Sequence, residues 1–504
     1  MIKKITSFII SFYVATSFAQ TKPNIVIIIS DDHAYQAIGA YGNKWAHTPN
    51  IDRIAKEGVL FKKSYVTNSI CGPSRAVILT GKYSHKNGFK DNETSQFNHG
   101  QDNFAKQLQA NGYQTAWVGK VHLGEKLQGF DYYNLLPDQG SYYNPDFIGM
   151  DGKETRKDGY VANIITEEAE KWLDKRDKTK PFCVVIGHKS THRAWLPDTT
   201  DFGKYDKVNF PLPQNFYDNY DNRPASKVQE MTIEKSMQMG YDLKMLSYSK
   251  DGKEPAVDRM NAAQRAKFDA YYKPIETDLK ERNLTGKALS EWKYQRYMRD
   301  YMSTADGLDR NIGRTLDYLD QHDLTKNTVV IYLSDQGFYL GEHGWFDKRW
   351  MYEESFRTPM VMRYPGVVKS GSIENNFVLN LDITPTLLDL AGAKIPADVQ
   401  GESFLPLIVN KNTQGRETIY YHYYENGEHA VSPHFGIRTE RYKLIRFYKR
   451  VEGWELYDLK TDPSEMKNIY KTKGNEKLIA GLKKKLKILI DQYQDTDACK
   501  IFDQ

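Results

Sequence analysis

Three cysteines, Cys71, Cys183 and Cys499, in a chain of 504 residues exclude a disulfide-stapled scaffold. Long apolar runs are also scarce. The run from Ile5 to Val14 falls far short of the roughly 20 residues that a spanning helix needs, so no stable membrane span is expected. Charge of one sign is not in excess either: 70 Lys and Arg face 65 Asp and Glu, for a net charge of +5. That balance gives no electrostatic footprint for nucleic acid. Internal repeats and low-complexity tracts are missing, which argues against a solenoid or a disordered chain.

What is present is a chain able to build a large core. Hydrophobic residues make up 40% of it and aromatics 13%, with 35 Tyr. The length suits one large domain and a smaller one. Lys3 and Lys4, the short apolar run and the small residues Ser17 and Ala19 before Gln20 have the form of a secretory signal peptide. Residues 1–19 are read as that signal, and the mature protein is expected in the periplasm or outside the cell.

Apolar, β-branched runs alternate with helical patterns. Strands are expected at Asn24 to Ile29, Gln114 to Val118, Phe182 to Ile186 and Thr328 to Leu333. Helices are expected at Asn50 to Glu57, Asn103 to Ala110, Val161 to Leu173 and Tyr294 to Leu319. The alternation predicts an α/β fold, a large mostly parallel sheet sandwiched by helices. The polar, lysine-rich stretch from Asp251 to Ser290 reads as a solvated helical insertion. Past Gly401 come short alternating segments, Ile419 to Tyr424, Phe435 to Thr439, Tyr442 to Tyr448 and Glu455 to Leu459, then the amphipathic Leu478 to Ile490. Residues 20–400 are therefore expected to form the catalytic domain and 401–504 a smaller antiparallel α+β domain.

Ionisable residues follow four of the expected parallel strands: Asp31 and Asp32; Lys120 and His122; His188, Lys189, His192 and Arg193; Asp335 and Gln336. In open α/β sheets ligands bind at the carboxyl ends of the strands, so these groups should share one rim. Asp31, Asp32 and Asp335 together are costly without a cation, and Gln336 adds an amide oxygen. An all-oxygen set suits Ca²⁺ or Mg²⁺ rather than zinc. In Cys71-Gly-Pro-Ser-Arg75 the residues Pro73 and Ser74 suit a helix start, which puts Cys71 at the positive end of the helix dipole. That setting reads either as a thiol of lowered pKa or as a small buried cysteine.

Cys71-Gly-Pro-Ser-Arg75 also matches the Cys-x-Pro-Ser-Arg signature, and the chain resembles the formylglycine-dependent sulfatases of the alkaline phosphatase superfamily. Gly119-Lys-Val-His122, Ser334-Asp-Gln-Gly337, Gly341-Glu-His-Gly344 with Lys348, and Leu456-Tyr-Asp-Leu459 carry the same resemblance, which spans nearly the whole mature chain. It implies that Cys71 is a modified residue, oxidised by a separate formylglycine-generating enzyme, and that its hydrate attacks sulfur. It implies one Ca²⁺, ahead of Mg²⁺, on Asp31, Asp32, Cys71, Asp335 and Gln336; Gln336 departs from the family's usual Asn or His. It further implies catalytic roles for Arg75, Lys120, His122, His192 and Lys348, with His192 protonating the leaving oxygen and His122 aiding collapse of the sulfated hydrate.

The expected substrate is a sulfated carbohydrate, either an algal polysaccharide of ulvan, fucoidan or carrageenan type or a glycosaminoglycan bearing N-acetylglucosamine-6-sulfate. His188, Arg193, Trp195 and His434 are candidate sugar contacts, since aromatics stack on sugar rings and Arg pairs with carboxylates. Two alternatives stand beside this reading: a phosphoester or phosphonate hydrolase of the same superfamily, and a carbohydrate-binding protein without catalysis.

Overall fold

The computed structural model describes residues 22–124, 126–249, 254, 256–410 and 413–502. The signal peptide expected at residues 1–19 lies outside them.

Ten strands form the main sheet: β1 (Asn24–Ser30), β2 (Val59–Phe61), β3 (Gln114–Lys120), β4 (Tyr132–Leu136), β5 (Asp146–Gly149), β6 (Glu154–Arg156), β7 (Phe182–Gly187), β8 (Thr328–Ser334), β9 (Met360–Arg363) and β10 (Ser372–Glu374). Their spatial order is β10-β2-β9-β8-β1-β7-β3-β4-β5-β6. The central run β8-β1-β7-β3-β4 is parallel throughout, and β5, β6 and β9 join antiparallel to their neighbours. Parallel strands covered on both faces should be apolar at every position. In β1, Val26 and Ile28 face one layer while Ile25, Ile27 and Ile29 face the other, all fully buried. Burying each such side chain contributes roughly 1.5–3 kcal/mol.

Helices α1 (Pro49–Glu57), α4 (Val161–Lys175) and α6 (Gly286–Gln321) cover the first face. Helices α2 (Cys71–Thr80) and α3 (Phe104–Ala110) lie on the second. Pro49 occupies the first turn of α1, where its missing N–H costs nothing. The Asn103 side chain accepts the Lys106 amide and so caps α3.

The region from Asp251 to Ser290 departs from a purely solvated excursion. Asp251 to Lys253 lie outside the described residues. The rest contains α5 (Ala262–Arg282), whose Phe268, Tyr272 and Leu279 are buried against α6. The Tyr272 hydroxyl donates to Asp300 at 3.0 Å. Widely spaced apolar residues, masked in sequence by the intervening Asp269, Lys273, Glu276 and Asp278, give the helix a packed face.

The chain closes with an antiparallel sheet of β11 (Thr418–Tyr423), β12 (His434–Thr439), β13 (Tyr442–Phe447) and β14 (Gly453–Asp458), in that order. Leu482, Leu486, Leu489 and Ile490 of α7 (Glu476–Tyr493) are its buried residues, and they join the apolar cluster of that sheet. This is the smaller antiparallel α+β part expected from the sequence. Cys71, Cys183 and Cys499 are all free. No described helix is long and apolar enough to cross a membrane.

Candidate active site

Adjacent parallel strands bring the rim residues together. The strands β8, β1, β7 and β3 end side by side, so Asp335, Asp31, the residues after Gly187 and Lys120 converge. The chain must then bend tightly beneath the site. At Gly119 φ is +95°, and a Cβ there would lie 2.2 Å from the Gly187 carbonyl oxygen. Glycine is required at this crossing.

Helix α2 begins at Cys71 and is buried along its whole length. Four residues on, Arg75 lies on the same helix face. Its Nε donates to Asp335 Oδ2 at 2.8 Å and its Nη1 to the Lys120 carbonyl at 2.8 Å. Ser74 Oγ donates to the Asp335 carbonyl, tying the helix start to the end of β8.

Each of three buried carboxylates has its own cation. Asp31 pairs with Lys120, Asp335 with Arg75, and Asp32 with Lys348 at 2.7 Å. All six groups are at least 95% buried. The need for a metal therefore does not follow from unbalanced charge, since the side chains neutralise one another. It follows from oxygen atoms left over. Asp31 Oδ1 and Gln336 Oε1 are buried acceptors with no hydrogen-bond partner. One ligand oxygen from each of Asp31, Asp32 and Asp335 falls within 4.8 Å of the others. Gln336 Nε2 donates to Asp32 Oδ1 at 2.5 Å and lies 3.6 Å from Cys71 Sγ. The converging oxygens of Asp31, Asp32 and Asp335 fit a hard divalent cation, whereas Gln336 presents its Nε2 to Asp32 and Cys71 and would ligate through oxygen only with its amide turned over.

The titrations follow from this crowding. Burial works against ionising Asp31, yet Lys120, His192, Arg75 and Lys348 hold it well below the usual carboxylate range. Burial and repulsion from Asp31 and Asp32 push Asp335 up to about 7. Burial, together with Asp31 and Asp347, pushes Asp32 up to about 6. Cys71 moves opposite to the lowered-pKa reading: burial and the carboxylates Asp31 and Asp32 push its thiol up to about 12, against the pull of Lys348 and Lys120. An unmodified Cys71 is thus a neutral thiol and a poor nucleophile at neutral pH.

Two histidines border the cluster. His192 Nε2 lies 3.9 Å from Asp32 Oδ2, and its Nδ1 contacts the Arg193 carbonyl at 2.7 Å. His122 Nε2 lies 3.3 Å from both Asp138 Oδ1 and Gln139 Nε2. Burial, then the positive charge of Lys120, lowers the pKa of His192; the same burial outweighs the Asp138 contact at His122.

The four candidate sugar contacts fare differently. Trp195 is fully buried against Tyr297, Phe338 and Phe346, so it is a core residue and cannot meet a sugar. His434 is likewise buried in β12, where its Nε2 accepts the Met351 amide at 3.0 Å and its Nδ1 contacts the Ser432 carbonyl. His188 continues the face of β7 that packs towards α6 and is fully buried, with Arg314 the charge that acts on it, so it is not exposed to a sugar. Only Arg193 remains near solvent, held by a bidentate pair to Asp242 at 2.6 and 2.8 Å.

Other residues, given no role from the sequence, complete the surroundings. Lys189 Nζ donates to the Gln139 carbonyl at 3.0 Å, and burial with Lys120 nearby lowers its pKa to about 7. Asp347 bridges Arg349 at 2.8 Å and His429 at 2.9 Å beside Lys348. Arg349 Nη1 is the atom paired with Asp347, and its buried Nε, without a hydrogen bond, lies 3.8 Å from Glu425 Oε1. The strand-end position of Lys189 and the charged run Asp347-Lys-Arg349 were visible signals; nothing local marked His429.

The comparisons with known proteins agree with this geometry. The Sulfatase family profile matches residues 23–393, and that of the N-sulphoglucosamine sulphohydrolase C-terminal region matches 341–492. An N-acetylglucosamine-6-O-sulfatase of Bacteroides thetaiotaomicron is 45% identical, over 94% of this chain and 88% of its own length. An ulvan-active sulfatase of Formosa agariphila is 28% identical over 95% and 83%. A solved structure of a protein with its substrate D-glucosamine-2-N,6-O-disulfate superposes with a TM-score of 0.92 at 45% identity, covering 94% of this chain and 99% of that one.

Proposed function

The chain belongs to the formylglycine-dependent sulfatase family and is a sulfuric ester hydrolase acting on sulfated sugars, and from that premise we propose that it removes the 6-O-sulfate of N-acetylglucosamine units in glycosaminoglycan fragments. The reading places a formylglycine at Cys71, made by a formylglycine-generating enzyme, and one Ca²⁺ on Asp31, Asp32, Asp335 and Gln336. The observation that carries the chemistry is the convergence of the Asp31, Asp32 and Asp335 oxygens, with Asp31 Oδ1 unpartnered, in a cluster that includes a cysteine too buried to ionise. The likeness to an N-acetylglucosamine-6-O-sulfatase over nearly the full chain supports the choice of sugar ahead of the algal polysaccharides.

When present, the hydrated aldehyde supplies an oxygen nucleophile at neutral pH and the ion supplies Lewis-acid polarisation of the sulfate. The chain's own residues do the rest. Lys120 and Lys348, paired here with Asp31 and Asp32, are the cations available to sulfate oxygens once other positive charge serves those carboxylates. Arg75 stays on Asp335 and fixes the start of α2 against β8. His192 Nε2 delivers the proton to the leaving sugar oxygen; a bound sulfate anion opposes the repulsion from Lys120 that depresses its pKa. His122, held by Asp138, accepts a proton from the nucleophile side. Asp347 and Arg349, paired beside Lys348, are the charged groups available to hydroxyls of the sugar. The two lysines, apolar run and small residues at the N-terminus support export, to the periplasm or beyond.

Sulfate release measured by ion chromatography tests the reading, with enzyme co-produced with a formylglycine-generating partner. N-acetylglucosamine-6-sulfate should release sulfate, whereas galactose-6-sulfate and ulvan fragments should not. Release from ulvan alone would replace the substrate. Faster turnover of an aryl phosphate than an aryl sulfate would return the phosphoester alternative.

A further inference from the structure

A fifth parallel strand delivers polar groups to the catalytic rim. Leu136, the last residue of β4, pairs with Lys120 at the end of β3, so Asp138 and Gln139 follow onto the same edge of the sheet. The main chain is pinned there, because the Gln139 carbonyl accepts Lys189 Nζ, from the end of β7, at 3.0 Å. The Gln139 side chain lies between two groups of the cluster. Its Oε1 accepts from Lys120 Nζ, and its Nε2 stands 3.3 Å from His122 Nε2.

The direction of that amide is decided by Lys120. An ammonium has donors and no acceptor, so the oxygen must face Lys120 and the NH2 must face His122. An NH2 offers only hydrogen. A favourable contact therefore needs a lone pair on His122 Nε2, with the hydrogen of the neutral ring on Nδ1. A neutral ring with its hydrogen on Nε2 would set N–H against N–H. Asp138 Oδ1 is equally near that nitrogen, at 3.3 Å, but makes no aligned hydrogen bond with it, and its side chain is 81% exposed. It suits the other state of the ring, since a charged imidazolium gains from a carboxylate beside its Nε2–H. Burial lowers the pKa of His122 and so keeps the resting ring neutral. Nδ1 is buried without a partner and favours neither arrangement.

We propose that Gln139 is a positioning residue for sulfate ester hydrolysis: its oxygen holds Lys120, and its NH2 keeps neutral His122 protonated on Nδ1, so that Nε2 takes the proton. The Nε2 lone pair forms the new N–H bond, Nδ1 keeps its own hydrogen, and the resulting cation turns from Gln139 to Asp138. The assignment rests on the proton-accepting role of His122 and names the atom and the residue that presets it.

Nitrogen-15 spectra of enzyme labelled at its histidine rings read the tautomer without turnover, the His122 signals being those that vanish in His122→Asn. The unaltered enzyme should show a neutral ring with its hydrogen on Nδ1. In Gln139→Glu the carboxylate still accepts from Lys120 but has no hydrogen for His122, so the ring should move to Nε2–H or become charged. Its kcat on N-acetylglucosamine-6-sulfate should fall about tenfold or more while KM stays within about threefold. Gln139→Met loses both contacts and should lower kcat and raise KM together. Hydrogen on Nε2 of a neutral His122 in the unaltered enzyme would overturn the proposal, as would a Gln139→Glu protein that keeps the parent's tautomer or the parent's kcat. A parent that releases no sulfate from any ester would instead remove the catalytic reading, and the ring spectra would still decide the tautomer.

Discussion

Two buried polar clusters lie in this molecule, one at the strand ends of the main sheet and one beneath the C-terminal sheet, and they are finished to different degrees. Around Cys71, three carboxylates, three cations and an amide leave Asp31 Oδ1 and Gln336 Oε1 without partners. Around Asp495, beneath the C-terminal sheet, every carboxyl oxygen is served. Its Oδ2 accepts from Tyr420 and Tyr424 at 2.8 and 3.0 Å and contacts His422 Nδ1 at 2.7 Å, while Oδ1 accepts the Ala498 amide at 3.0 Å. Both clusters are as buried as any apolar core. Burial of charge alone therefore does not mark a site. Unmet acceptor capacity where several carboxylates converge does.

That contrast is broken most severely at the nucleophile. Cys71→Ala should lower kcat by at least about 10⁴-fold, about 5.4 kcal/mol of barrier, while the unfolding midpoint stays near that of the parent. Retained turnover would remove Cys71 from the chemistry. The finished cluster should respond the other way. Asp495→Ala strands four buried donors, each worth about 1–3 kcal/mol, so urea unfolding should show a loss of about 4 kcal/mol or more with kcat preserved in the folded fraction.

The same residue sets a pH dependence. Burial opposes its ionisation, but His422 and His85 hold Asp495 well below the usual carboxylate range. The folded state thus binds its proton less readily than the unfolded chain, whose value is about 3.9. The stability it contributes is complete above that value and is lost as pH falls below it. Asp495→Ala should flatten the decline in unfolding free energy below about pH 4. An unchanged acid limb would mean that other carboxylates set it.

The incomplete cluster should be completed by metal. Ca²⁺ at about a hundredfold over its Kd should raise unfolding free energy by about 2.7 kcal/mol, measurable on chelator-treated protein without any assay of turnover. Asp31→Asn should abolish that gain. Stabilisation that survives the substitution would place the ion elsewhere.

The sequence reading reached the sheet and the carboxylate cluster through the same regularity. Apolar runs such as Ile25 to Ile29 are long enough to identify as buried strands, and whatever follows a parallel strand must lie on one rim. The lone Cys71 and its partners were readable because strand ends and a helix start fix them locally. Side chains in loops and in the antiparallel sheet were not. His434 and Trp195 differ from true contacts only in which way the chain turns after a strand, and local pattern does not encode that. The opposite error has the same cause. His429 reaches Asp347 across 82 positions of sequence, a meeting set by how the two sheets pack. The low-polarity face of α5 escaped notice because Phe268, Tyr272 and Leu279 are separated by Asp269, Lys273, Glu276 and Asp278, which outnumber them.

Trp195 offers the mildest test of the distinction between core and site. It lies three residues from His192, yet its ring is closed in by Tyr297 at 4.4 Å between centroids and by Phe338 and Phe346. Its Nε1 is buried without an acceptor. Trp195→Phe removes ring volume, which costs stability, and removes an unpaired N–H, which restores some. The balance should be a loss of about 1 kcal/mol in urea unfolding. Since the ring never reaches the sugar, KM for the sulfated saccharide should stay within about twofold, less than 0.5 kcal/mol of binding. A KM raised tenfold with stability unchanged would return Trp195 to the substrate site, and with it the view that proximity in sequence to a catalytic histidine outweighs the direction in which the side chain packs.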